Sequence, residues 1–95
     1  MFKALSNETR IQILHWLKEP KKNFPQQEMA DMDEVGVCVK LIQNKTNLSQ
    51  STVSQYLGSL QSAGLIDVTR IGQWTYYKRN NEGIASLAKY ITEEL

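Results

Sequence analysis

The sequence predicts a mainly α-helical domain completed by one small β-hairpin, and three observations lead there. Apolar residues recur at three- and four-residue spacing through Ile11–Leu17, Val53–Leu60 and Ile84–Leu95, the period of a helix with one buried face. Alternation and β-prone aromatics are confined to residues 66–79, on either side of Gly72. Polar caps, prolines and glycines punctuate the boundaries between these stretches. About five helices and a two-stranded hairpin are expected in a single domain spanning residues 1–95, with a polar excursion over 18–35.

Taken in order, Phe2–Leu5 reads as the end of a first helix. Ser6-Asn7 then offers side-chain oxygens to cap a second that begins Glu8-Thr9-Arg10, where the acidic Glu8 suits the positive helix start. Ile11, Leu14 and Leu17, with Ile13 alongside, form its buried stripe, and Pro20 ends it. Lys18–Val35 carries Pro20, Pro25, Lys21-Lys22 and the acids Glu28, Asp31, Asp33 and Glu34, too polar and proline-interrupted for one long helix. Met29 and Met32 are its only candidates for a turn laid on the core. After Gly36, the apolar Val37, Val39, Leu41 and Ile42 start a third helix that runs to about Lys45.

Thr46-Asn47-Leu48 has the length of the turn that joins two helices at a steep angle, and Asn47 tolerates the positive φ such a turn requires. Ser49 is the expected N-cap of the next helix and Gly64 its terminator. Ile66–Arg70 and Trp74–Arg79 form the hairpin, reversing through Ile71-Gly72-Gln73. From Asn81 a last helix places Ile84, Leu87, Ala88, Ile91 and Leu95 along one face. A domain of 95 residues, 41% of them hydrophobic, has a marginal core, so that stripe is expected to meet a second copy, with Phe2 and Leu5 joining the contact.

The net charge of +1 hides a division along the chain. Gly36–Asn81 holds Lys40, Lys45, Arg70, Lys78 and Arg79 against Asp67 alone, a local +4 that the acidic flanks compensate. In the middle of that region, the Ser49 helix has an apolar side of Val53, Leu57 and Leu60. Its first two turns carry Gln50, Ser51, Thr52, Ser54 and Gln55. Hydroxyls and amides both donate and accept hydrogen bonds, which suits base edges and phosphates. Gln55 and Ser51 are expected at base edges in the major groove, and Ser49 and Thr52 at phosphate. Lys45, Arg70, Lys78 and Arg79 supply charge, the last three as cations near the hairpin tip. A hairpin with basic arms after such a helix is a wing, so the pattern is a winged helix-turn-helix and the expected partner is double-stranded DNA. Trp74, Tyr76, Tyr77, Trp16 and His15 read as structural.

Three ordered strings resemble the bacterial arsenic-repressor, or metalloregulator, family of winged-helix repressors. Phe2-Lys3-Ala4-Leu5-Ser6-Asn7-Glu8-Thr9-Arg10 is similar to its opening motif, although proline is common there where Glu8 stands. Leu48–Ser54 with Leu57, Leu60 and Ala63-Gly64-Leu65 is similar to its recognition helix, and Arg70–Tyr77 to its wing. The resemblance implies a homodimer joined through its terminal helices, bound to a near-palindromic operator and repressing transcription. The family's paired third-helix cysteines would fall at positions 38 and 40, where this chain has Cys38 and Lys40. The last-helix site uses histidines, yet Asn81–Leu95 has none. Metal sensing is therefore not carried over, and no cofactor is expected.

Cys38 reads as a small hydrophobe between Val37 and Val39, with oxidant sensing beside Lys40 as the sharper alternative. No stretch approaches the roughly 20 apolar residues of a membrane helix, and the first residues lack a secretory signal, so a cytoplasmic location without membrane contact is expected. No nucleophile–base pair, phosphate loop or paired-carboxylate motif points to an enzyme. The alternative to a DNA-binding regulator is a winged-helix module whose polar helix meets another protein. The sequence names no inducer.

Overall fold

The computed structural model describes residues 7–95, so the expected first helix and the roles given to Phe2, Leu5 and Ser6 lie outside the described residues. Helix α1 (Glu8–Lys18) starts where Asn7 Oδ1 accepts the backbone N–H groups of Thr9 at 2.8 Å and Arg10 at 3.3 Å. Ile13, Leu14 and Leu17 enter the core. Ile11, expected beside them, is 50% exposed. At 100° per residue it sits about 110° round the helix from the centre of the Ile13–Leu14–Leu17 stripe, too far to share it.

Pro20 does stop α1, and it also opens a one-turn helix α2 (Pro20–Asn23), a position where its missing N–H costs nothing. The excursion that follows is ordered by its polar side chains. Gln27 spends its whole amide group on it: Nε2 donates to the carbonyls of Ala30 and Gly36, and Oε1 accepts from Cys38 N–H. Asp31 Oδ2 accepts from the N–H groups of Asp33 and Glu34, and Lys21 Nζ lies 3.0 Å from Asp31 and 3.2 Å from Asp33. The Lys21 partnership holds the Asp31 carboxyl below the usual carboxylate range. Met32 is buried against the core, whereas Met29 is 68% exposed.

Val37–Cys38 forms strand β1 rather than the start of a helix, and α3 (Val39–Thr46) begins after it. The correction has a local cause. Gly36 adopts φ +117°, and a Cβ there would stand 2.5 Å from the Tyr77 carbonyl oxygen, so only glycine lets the chain turn in against that neighbouring strand. Asn47 is left-handed (φ 60°, ψ 27°), as the turn requires. Helix α4 (Gln50–Ser62) follows, and its Val53, Leu57 and Leu60 are fully buried. It closes where Leu65 N–H donates to the Leu60 carbonyl and Gly64 takes φ +75°.

Strands β2 (Ile66–Ile71) and β3 (Trp74–Arg79) form the hairpin in the register Ile66↔Arg79 to Ile71↔Trp74. Strand β1 pairs antiparallel with the outer edge of β3, making a three-stranded sheet of order β1-β3-β2 where two strands were expected. Helix α5 (Asn81–Glu94) is capped by Asn80, whose Oδ1 accepts from Gly83 N–H at 3.0 Å. Asn80 N–H donates to the Leu65 carbonyl, and a Cβ on Gly83 would run into the Gly64 carbonyl oxygen. The start of α5 is thus seated directly on the end of α4. Among the described residues no helix is long and apolar enough to cross a membrane.

Candidate nucleic-acid interface

Helix α4 is the centre of the site. Its three buried anchors fix its roll, so the residues opposite must face outward. Gln50, Ser51, Ser54 and Gln55 are all exposed. Gln50, Ser54 and Gln55 make no side-chain hydrogen bond among the described residues, so their donors and acceptors are available to a ligand. Ser49 and Thr52 are arranged differently. Ser49 Oγ accepts Thr52 N–H at 3.2 Å and lies 2.9 Å from Thr52 Oγ1, so both hydroxyls are engaged in capping the helix. The helix has no charged side chain, so its chemistry is neutral hydrogen bonding.

Charge comes from its neighbours. Lys45, in the last turn of α3, holds its ammonium 5.0 Å from the Trp16 ring centroid and 5.8 Å from that of Phe24. The two rings meet edge to face at 6.2 Å. Ring faces attract a cation, so the ammonium is held beside the helix-turn-helix turn. Arg70 pairs across from Thr75, one step inward from the Ile71↔Trp74 pair at the hairpin tip. Burial pushes the Tyr77 hydroxyl pKa up, and the positive charge of Arg70 offsets part of that rise.

The expectation that all three wing cations gather near the tip needs correction. Arg79 sits at the opposite end of the ladder, opposite Ile66, where Nη1 donates to the Leu14 carbonyl at 3.3 Å and Nε to Asn81 Oδ1 at 3.1 Å. It ties α1 to the base of the wing. Lys78 faces Asp67 across the strands, and its Nζ donates to the Glu34 carbonyl at 3.4 Å. Only Arg70 remains beside the tip. The reason is the register: Lys78 and Arg79 follow the turn by five and six residues, which carries them back to the domain body.

Tyr56 was not singled out from sequence. Its hydroxyl lies 3.2 Å from Asn7 Nδ2, and the Arg10 guanidinium lies 5.3 Å from its ring centroid. The residue that caps α1 thereby also steadies α4. Only its tyrosine identity on the flank of the helix hinted at a hydrogen-bonding tip. Tyr76 is buried as expected, whereas Trp74 is 38% exposed.

The stripe on α5 divides. Leu87 is 5% exposed and belongs to the core of its own chain, so it is withdrawn from the surface offered to a partner. Ile84 is half-buried, whereas Ala88, Ile91 and Leu95 remain exposed. Helical geometry explains the split: Ile84, Ala88, Ile91 and Leu95 lie within about 60° of one line, and Leu87 lies to one side of it.

Cys38 stands immediately before α3 without a side-chain capping bond, is half-buried, and lines a shallow groove of about 260 Å³ with Met29, Leu41, Trp74 and Tyr76. Lys40 and Glu28 also border it, a poor donor set for a thiophilic metal. Among the described residues no three His, Cys, Asp or Glu side chains cluster.

Comparison with known proteins places this arrangement. No protein-family model matches the chain. It is 54% identical over 95 residues to the uncharacterized HTH-type transcriptional regulator YbzH of Bacillus subtilis, covering all of this chain and 95% of that one. It is 35% identical over 75 residues to the putative arsenical resistance operon repressor ArsR2 of Halobacterium salinarum, covering 79% of this chain and 52% of that protein. Among solved structures, the transcriptional regulator HlyU of Vibrio vulnificus superposes with a TM-score of 0.61 at 27% identity, over 99% of this chain and 83% of that one.

Proposed function

The chain belongs to the arsenic-repressor (ArsR) family of helix-turn-helix, DNA-binding transcriptional regulators, and we propose that it works as a homodimer whose two α4 helices enter successive major grooves of a near-palindromic operator. In this reading Ser51 and Gln55 read base edges, and Gln50 and Ser54 flank them. Ser49 and Thr52 hold the helix start against a phosphate, while Lys45 and Arg70 neutralise backbone charge on either side. Lys78 and Arg79 position the wing. Occupancy of the operator represses transcription, the role named for the arsenical resistance relative, and places the protein in the cytoplasm with the DNA.

The observation that carries this proposal is the outer side of α4: exposed amide and hydroxyl groups, those of Gln50, Ser54 and Gln55 unengaged among the described residues and that of Ser51 held only by Ser49 Oγ at 3.3 Å, on a helix whose roll is fixed by three fully buried residues. A solvated helix face needs no such neutral, hydrogen-bonding composition beside a cation on each flank. The dimer rests on Ala88, Ile91 and Leu95 with the half-buried Ile84. Ile11 on α1 is an exposed apolar addition that helix periodicity had assigned to the core. The donor set around Cys38 does not fit the family's metal chemistry, so no metal enters the proposal. Selection of bound sequences from a random duplex pool tests it: enrichment of an inverted repeat with half-sites about one duplex turn apart is expected. Recovery of no sequence preference, from protein that is monomeric at micromolar concentration, would overturn it.

A further inference from the structure

Gly58 stands in the middle of α4, where a glycine is least expected. It lies in a regular helix, not at a positive φ, and a Cβ built on it meets nothing within 4 Å among the described residues. No close packing among the described residues therefore calls for the missing side chain. In a helix interior glycine is unfavourable relative to alanine, because it loses more backbone freedom on folding. The cost here is uncompensated among the described residues, which directs attention to what meets this face from outside.

Ser51, Gln55, Gly58 and Ser62 all lie within about 50° of the line opposite the Val53–Leu57–Leu60 anchors. Gly58 is thus a notch in the outward ridge, set between Gln55 one turn before and Ser62 one turn after. At 1.5 Å per residue it lies about 10 Å along the axis from Ser51. The major groove is about 12 Å wide, so a helix whose first turns meet the bases brings its third turn to the groove wall.

We infer that the notch at Gly58 receives a sugar–phosphate strand flanking the major groove, and that the absent side chain lets the α4 backbone approach the DNA closely enough for Ser51 and Gln55 to reach base edges. This rests on the reading of α4 as the DNA-facing helix and adds the residue that sets its depth of insertion. It runs counter to the usual expectation that a groove-wall position is improved by added contact surface. Here added bulk lifts the helix out.

The test is a size series, Gly58→Ala and Gly58→Leu, in the full chain, read by thermal melting and by titration against the selected operator and a random duplex. Neither substitution meets atoms of the described residues within 4 Å at Cβ, so both variants are expected to fold, with Gly58→Ala melting about 4 °C higher. Operator affinity is expected to fall by about 10-fold for alanine and further for leucine, with random-duplex affinity falling in parallel, the signature of a lost backbone approach. Unchanged affinity across the series would overturn the inference, as would a preference altered at a single base pair with random-duplex binding intact. A wild-type chain that binds no duplex would instead defeat the parent reading, so the two failures are distinguishable.

Discussion

Raising the salt concentration should weaken operator binding far less steeply than the basic character of residues 36–81 suggests, and the structure sets the expected slope. Each phosphate neutralised contributes about −0.9 to the slope of log K against log salt. If Lys45, Arg70, Lys78 and Arg79 all met phosphate, a dimer would neutralise about eight and show a slope near −7. Arg79 is instead hydrogen-bonded to the Leu14 carbonyl and Asn81, and Lys78 reaches the Glu34 carbonyl, while α4 carries no charge. Two cations per protomer remain, so the slope should lie near −3.6, and a rise from 50 to 200 mM salt should cost about 150-fold in affinity rather than about 20,000-fold. Fluorescence anisotropy across a salt series measures it. Arg70→Gln should flatten the slope by about 1.8, one contact in each protomer, whereas Arg79→Gln should leave it unchanged and lower the melting temperature. A wild-type slope near −7, or an Arg79→Gln variant that flattens it as much as Arg70→Gln, would refute the assignment.

Gln55→Ala should relax discrimination by about 1–3 kcal/mol at one base pair per half-site, measured by competition with singly substituted duplexes, and leave the others unchanged. Ile91→Asp puts a charge in the exposed α5 stripe; sedimentation should show monomer at micromolar concentration, and operator affinity should fall by about 100-fold or more as the second half-site is lost. Gly36→Ala combines a positive φ with a Cβ 2.5 Å from the Tyr77 carbonyl oxygen. The expected destabilisation is about 3 kcal/mol, seen as a melting temperature lowered by more than about 10 °C.

What could be read in advance was what a single element settles for itself. Ser49, Asn47 and Gly64 mark α4 because each answers a local backbone demand, and Val53, Leu57 and Leu60 orient it because helical spacing alone decides which side they occupy. The hairpin followed from alternation around Gly72. The failures share the opposite property. Strand β1 is two residues long and exists only because β3 offers an edge, so Val37 looked like the first apolar position of α3. Arg79 looked like a free cation because its acceptor, the Leu14 carbonyl, is 65 residues away in the chain. Leu87 and Ile11 were each one step from the right face: periodicity identifies an apolar stripe but not which of its margins another element covers. The polar excursion could be read only as an excursion because the side chains that order it, Gln27, Asp31 and Lys21, carry no sequence signature for doing so.

The contact between Gly83 and the Gly64 carbonyl has a consequence for how signals travel. With no side chain to act as a cushion, the terminal helix and the reading helix meet backbone to backbone, and the Asn80-to-Leu65 hydrogen bond pins the same joint. In the proposed dimer, a twist imposed where two copies meet would be passed on undamped to the α4 helices, like a protractor fixed at its pivot. Under that proposal, release of DNA would need no ligand near the nucleic acid: a few degrees of reorientation at the far seam would put the two halves out of phase with the duplex.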